Sequence, residues 1–222
     1  MKKKTKAILC AVSMIGVVGI SGVLAYLTDT DTASNKFTIG QVKIDLQEPT
    51  WDEATDTDDD GIPDFAENIV PNATIEKDPQ VENVGSNSAY IYLKVTVPAE
   101  KVITAQSNGV LNNNGVETDT QLFSYTVNSD WTEITSERKT NTNATTGEVE
   151  SYTYVYYYKE AVAPNATTTT LFDSVIFANV IEGQIDLTEN QIDIEAYAIQ
   201  SDNLPANTTI EGAYAIYLNE NA

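Results

Sequence analysis

The sequence predicts an all-β protein, an antiparallel β-sandwich with one short C-terminal helix. Three observations carry this. Apolar and polar residues alternate over several stretches beyond residue 36, the period of half-buried strands. β-Branched residues and tyrosine are concentrated in those stretches. Turn-forming and polar segments separate them, as in sandwiches built of many short strands.

The first segment stands apart. Residues 1–6 read MKKKTK, and an apolar run follows from Ala7 to Ala25, broken by Ser13, Ser21 and glycines. A basic start, an apolar stretch and a small residue at its end make a secretory signal peptide. Ala25 at the −1 position and Val23 at −3 place cleavage after residue 25. The rivals are a retained anchor, since about 18 apolar residues nearly span a bilayer, and a lipoprotein modified at Cys10. The frequent glycines argue against the first, and the bulky approach Ala7-Ile8-Leu9 against the second. No second apolar span follows, and the final residues LNENA carry no anchor or sorting signal. The expected product is residues 26–222, one domain, secreted to the cell surface or an extracellular matrix.

Charge and composition narrow the function. The chain has 12 Lys+Arg against 33 Asp+Glu, a net charge of −21. Removing Lys2, Lys3, Lys4 and Lys6 with the signal takes this to −25 (−21 − 4). A sequence pI near 4.1 excludes a phosphate-reading nucleic-acid surface. With no histidine, no Ser-His-Asp triad and no HExxH zinc site can form. Cys10 is the single cysteine, so disulfides do not staple the mature fold. Such a charge opposes compaction unless cations screen or bind it.

The strands follow in order. Phe37–Ile39 runs into Val42–Leu46 with a partial alternation. Ala89–Val97 is the strongest strand, and Pro98 is expected to end it. Leu122–Asn128 keeps the same rhythm. Ser151–Lys159 holds Tyr152, Tyr154, Tyr156, Tyr157 and Tyr158, which fits aromatic packing in a sheet better than a carbohydrate-binding face. Thr169–Phe177 and Gln191–Gln200 complete the set. Asn108-Gly109 and Asn114-Gly115 mark turns. The polar stretch 135–150 is expected to be a loop. Thr208 and Glu211 have capping-box spacing, and Ala213, Ile216 and Tyr217 recur at helical spacing after them. Four Asn-x-Thr sequons, at Asn72, Asn143, Asn165 and Asn207, arise easily in a chain this rich in Asn and Thr.

One motif carries metal chemistry. Residues 56–67 read DTDDDGIPDFAE. Asp56, Asp58 and Asp60 fall at positions 1, 3 and 5 of a twelve-residue loop, Gly61 at 6, Ile62 at 7, Asp64 at 9 and Glu67 at 12. That is the register of a calcium loop of the EF-hand type. A hard cation takes six to eight oxygens, so alternating carboxylates fold around it, with the Ile62 carbonyl as a further ligand and Glu67 closing the site. Pro63 and the lack of a preceding amphipathic helix set it apart from helix-flanked EF-hands. The alternative is a solvated acidic loop, since eight acids fall between Asp52 and Glu67. A carboxylate pair for glycoside hydrolysis cannot be picked from so many acids.

Four stretches together resemble the TasA/camelysin family of exported Gram-positive surface and biofilm-matrix proteins. They are the signal peptide running into Ala25-Tyr26-Leu27-Thr28-Asp29, the segment Ala33–Gly40 followed by Val42–Leu46, the segments Ile69-Val70-Pro71 and Lys77-Asp78-Pro79 leading into Val81–Tyr90, and Ile194–Gln200. The resemblance implies a jelly-roll sandwich that assembles into fibres by donor-strand complementation. The new N-terminal segment, with Tyr26, Leu27, Phe37 and Ile39, would complete a neighbour's sheet. The implied partners are other copies of the chain, the signal peptidase, and other matrix proteins or cell wall. The family's metallopeptidase label, through camelysin, conflicts with the absence of histidine. The expected function is therefore structural and non-enzymatic, with Ca2+ in the 56–67 loop. The alternatives are a monomeric calcium-dependent adhesion module and a camelysin-type peptidase.

Overall fold

A computed structural model describes residues 40–185 and 190–221. The predicted signal peptide and the assembly residues Tyr26, Leu27, Phe37 and Ile39 lie outside them. The described residues belong to one compact unit, Ile39–Ala222.

The central strand is β4 (Ala89–Val102). Its residues 91, 93, 95 and 97 point into one core and Tyr92 into another, the two faces expected of period two. On one side it pairs with β11 (Asp193–Gln200), with Tyr92 opposite Tyr197. On the other side residues 92–98 pair with β9 (Val149–Tyr158). Pro98 does not end the strand. It marks a change of partner, because residues 99–102 pair with β5 (Thr118–Gln121). A residue without an N–H is tolerated where the ladder passes from one partner to the next. The outer edge of β9 pairs with β7 (Trp131–Glu133) and β8 (Lys139–Thr142).

A second layer holds β2 (Thr74–Glu76), β10 (Ser174–Phe177) and β6 (Phe123–Tyr125), in the order β2-β10-β6. β1 (Ile44–Gln47) pairs with β3 (Gln80–Asn83). All these pairings are antiparallel. The main core lies between the layers, with Ile91, Leu93, Val95 and Val97 from β4 facing Ile75, Val81, Phe123 and Val175. Phe172 is fully buried there and stacks on Tyr125 at 4.4 Å.

Four of the five tyrosines of β9 are packing residues. Tyr156 is buried, and its hydroxyl lies 3.0 Å from that of Tyr125. Tyr154 and Tyr158 pack on the main core and Tyr157 on the smaller one.

Three further sequence expectations need correction. Residues 135–150 are not a plain loop. They hold a 3-10 turn at Thr135–Glu137, strand β8 and the start of β9, because an edge strand pairs through its backbone and needs no apolar alternation. The strand expected over 169–177 is confined to Ser174–Phe177, while the residues before it bond along β3 through Thr168 N–H to Val81 O at 2.9 Å. The C-terminal helix is present as Ile210–Glu220, but Thr209 caps it rather than Thr208. Thr209 Oγ1 accepts from Gly212 N–H at 2.9 Å. This helix covers the outer face of the larger sheet, where Ala213 and Tyr214 join Tyr92, Val155 and Ile199 in the smaller core. Among the described residues no helix is long and apolar enough to cross a membrane.

Candidate metal site and the groove beside it

The connection between β1 and β2 carries the acidic motif. It begins with a short helix, α1 (Pro49–Asp52), held by Thr50 N–H and Oγ1 donating to Asp78. The loop then reverses through two left-handed residues, Asp59 (φ +58°) and Gly61 (φ +88°). Glycine adopts that conformation without steric cost.

The reversal brings Asp56, Asp58 and Asp60 together, with one carboxylate oxygen of each within 4.8 Å of the others. Gly61 N–H donates to Asp56 Oδ2 at 2.9 Å, and Ile62 N–H to Asp60 Oδ1 at 2.8 Å. Asp56 Oδ1 is buried and accepts no hydrogen bond. Asp64 is turned elsewhere. Its carboxylate takes Thr57 N–H at 2.8 Å and Thr57 Oγ1 at 2.7 Å, and these bonds hold its pKa below the ordinary value. Glu67 behaves oppositely. Desolvation raises its pKa, and repulsion from Asp58, Asp60, Asp64 and Asp56 adds to the rise. Of the six residues expected to bind metal, three converge, Ile62 adjoins them, Glu67 feels their charge, and Asp64 is occupied by Thr57. An all-oxygen donor set suits a hard divalent cation and is a poor match for zinc or copper.

The loop forms one wall of a groove, with Asp60, Gly61, Ile62 and Glu67 lining it. Ile192, just before β11, and Ile194 within it line another wall. Ile75, Phe123, Val175 and Phe177, all core residues, form the floor. The groove encloses about 1640 Å³, above the 300–1,000 Å³ usual for small-molecule pockets. β11 stands at the end of its sheet and β2 at the end of the other. Among the described residues, the outer edge of β11 has no strand partner. Sequence reasoning missed this groove, because its walls come from segments more than a hundred residues apart.

No protein-family model matches the chain, and no curated protein matches it.

Proposed function

We propose that this chain is an exported structural subunit of the cell surface or biofilm matrix, a TasA/camelysin-type jelly roll that polymerises by strand exchange. Residues 1–25 direct export and are removed by a signal peptidase. The freed segment, through Tyr26, Leu27, Phe37 and Ile39, adds to the sheet of the next copy. Ca2+ in the 56–67 loop offsets part of the −25 charge.

The groove carries this reading. A groove floored by core residues, beside a strand whose outer edge has no strand partner among the described residues, has the form that takes up an added strand. β11 is eight residues long, so an incoming strand of similar length suffices, and residues 26–39 number fourteen. The loop lies on the same groove, which puts cation binding and strand uptake side by side. Nothing in the reading requires catalysis, and the absence of histidine argues against the peptidase alternative.

The test is electron microscopy of protein produced from the full sequence in an exporting host, with and without millimolar calcium, beside a variant lacking residues 26–41. Fibres from the first and none from the second are expected. Folded monomers from both would favour the adhesion module instead.

A further inference from the structure

Tyrosines hold the C-terminal helix to the larger sheet. On β11, Glu195 and Tyr197 stand opposite Lys94 and Tyr92 of β4. Tyr214 and Tyr217 meet them from the helix. The ring centres of Tyr197 and Tyr217 are 5.2 Å apart, those of Tyr92 and Tyr214 5.0 Å, and those of Tyr214 and Tyr217 6.2 Å. Rings this close pass an electron vacancy among themselves. Tyr92 is fully buried and Tyr214 buried, while Tyr197 and Tyr217 are half-buried and reach solvent.

The proton decides where such a vacancy settles. A phenol that loses an electron becomes a strong acid, so its oxidation is completed where a base takes the proton. The hydroxyl of Tyr92 donates to the Ile210 carbonyl and that of Tyr154 to the Gln121 amide oxygen, neither of which is a base. The hydroxyls of Tyr125 and Tyr156 bond to each other. Tyr197 differs, because its hydroxyl donates to Glu195 Oε2. Among the described residues it is the one phenol that donates to a carboxylate. Lys94 Nζ pairs with the other oxygen of Glu195. The bonds from Lys94 and Tyr197 hold the Glu195 carboxyl below its ordinary value, so it is ionised at neutral pH.

We infer that Tyr197 and Tyr217 form an oxidative cross-linking site, joined through ring carbons ortho to their hydroxyls when a haem peroxidase acts on the protein with hydrogen peroxide. Each ring gives up one electron and its phenolic proton, that of Tyr197 passing to Glu195. The two radicals pair as a carbon–carbon bond. The joined carbons then lose their hydrogens as the rings return to phenols. The two electrons reduce one hydrogen peroxide to two waters, so the chain loses two hydrogen atoms in all. The bond ties the helix to β11 in a protein whose described residues contain no cysteine.

The experiment treats the full sequence, expressed in an exporting host and held dilute, with a haem peroxidase and hydrogen peroxide. Dityrosine fluorescence gives the rate, and mass spectrometry of peptides gives the position. The expected product migrates as a single chain on a denaturing gel and joins the peptides holding Tyr197 and Tyr217, two hydrogen atoms lighter than their sum. Tyr197→Phe and Tyr217→Phe should each abolish that product while remaining folded by circular dichroism. Glu195→Gln should slow it roughly a hundredfold, the effect of losing a positioned base, and added acetate should restore part of the rate. Hydrogen exchange in residues 210–220 should slow in the cross-linked chain, because the bond closes a loop. Cross-links confined to other tyrosines, or found only between copies, would overturn the inference. Equal rates from wild type and Glu195→Gln would overturn the assignment of Glu195 as the proton acceptor.

Discussion

Gly61 donates its backbone N–H to Asp56 Oδ2 at 2.9 Å, closing the acidic loop on itself. The bond requires the left-handed φ of +88° at Gly61, and a Cβ placed there would meet nothing within 4 Å. Gly61→Ala is therefore a purely conformational change, costing about 1 kcal/mol. Calorimetric titration with Ca2+ should show affinity falling roughly fivefold. The thermal unfolding midpoint without calcium should fall by about 2–4 °C, because the left-handed φ is already present in the metal-free loop.

Asp58→Ala and Asp60→Ala each remove one of three converging carboxylates. Either change should abolish the heat of calcium binding at millimolar concentration, the affinity range of extracellular calcium sites. Asp64→Asn should act more weakly, since that carboxylate is engaged by Thr57. Equal heats from wild type and all three variants would reduce the motif to a solvated acidic loop.

The convergence of Asp56, Asp58 and Asp60 was legible because the three carboxylates are neighbours in sequence. The groove was not, since its parts meet only through the sheet order. Strand β4 was legible because fourteen residues give period two room to appear. β2 and β3, of three and four residues, are too short to show any period. β8 escaped notice because an edge strand of Lys, Thr and Asn looks like a loop. Two adjacent threonines offer the same hydroxyl at the helix start: Thr209, with an extended backbone, takes the cap, while Thr208 Oγ1 donates to Pro205 O at 2.7 Å.

Tyr92 ties the larger sheet to the C-terminal helix. Its hydroxyl donates to Ile210 O at 2.7 Å, and its ring packs on Tyr214 at 5.0 Å. Tyr92→Phe removes only the hydrogen bond and should cost about 1 kcal/mol. Hydrogen exchange should report the loss chiefly as faster exchange in residues 210–220.

Phe172 is fully buried and stacked on Tyr125. Phe172→Ala should destabilise the fold by roughly 3–5 kcal/mol through lost burial and the cavity left behind. Urea unfolding checks it, with the midpoint shifted and the slope unchanged.

Burial pushes the phenols of Tyr156 and Tyr214 up to about 12 from an ordinary value of 10.0. Between those values the folded state keeps protons that the unfolded state has released, so stability falls as pH rises. Their contribution is fully present below pH 10 and lost by about 12. Phenolate absorbance should rise late in the native protein, and the thermal midpoint should drop across the same window. Tyr214→Phe should flatten part of that drop.

The central claim is that residues 26–39 fill the groove of another copy. A photo-crosslinking residue at Ile194 tests it, in an equal mixture of unlabelled and 15N-labelled chains combined before assembly. Mass spectrometry should find cross-links between the β11 peptide and residues 26–39, half of them joining one labelled to one unlabelled peptide. Cross-links to 26–39 found only within single-isotope pairs would contradict the claim, because each chain would then be completing its own sheet.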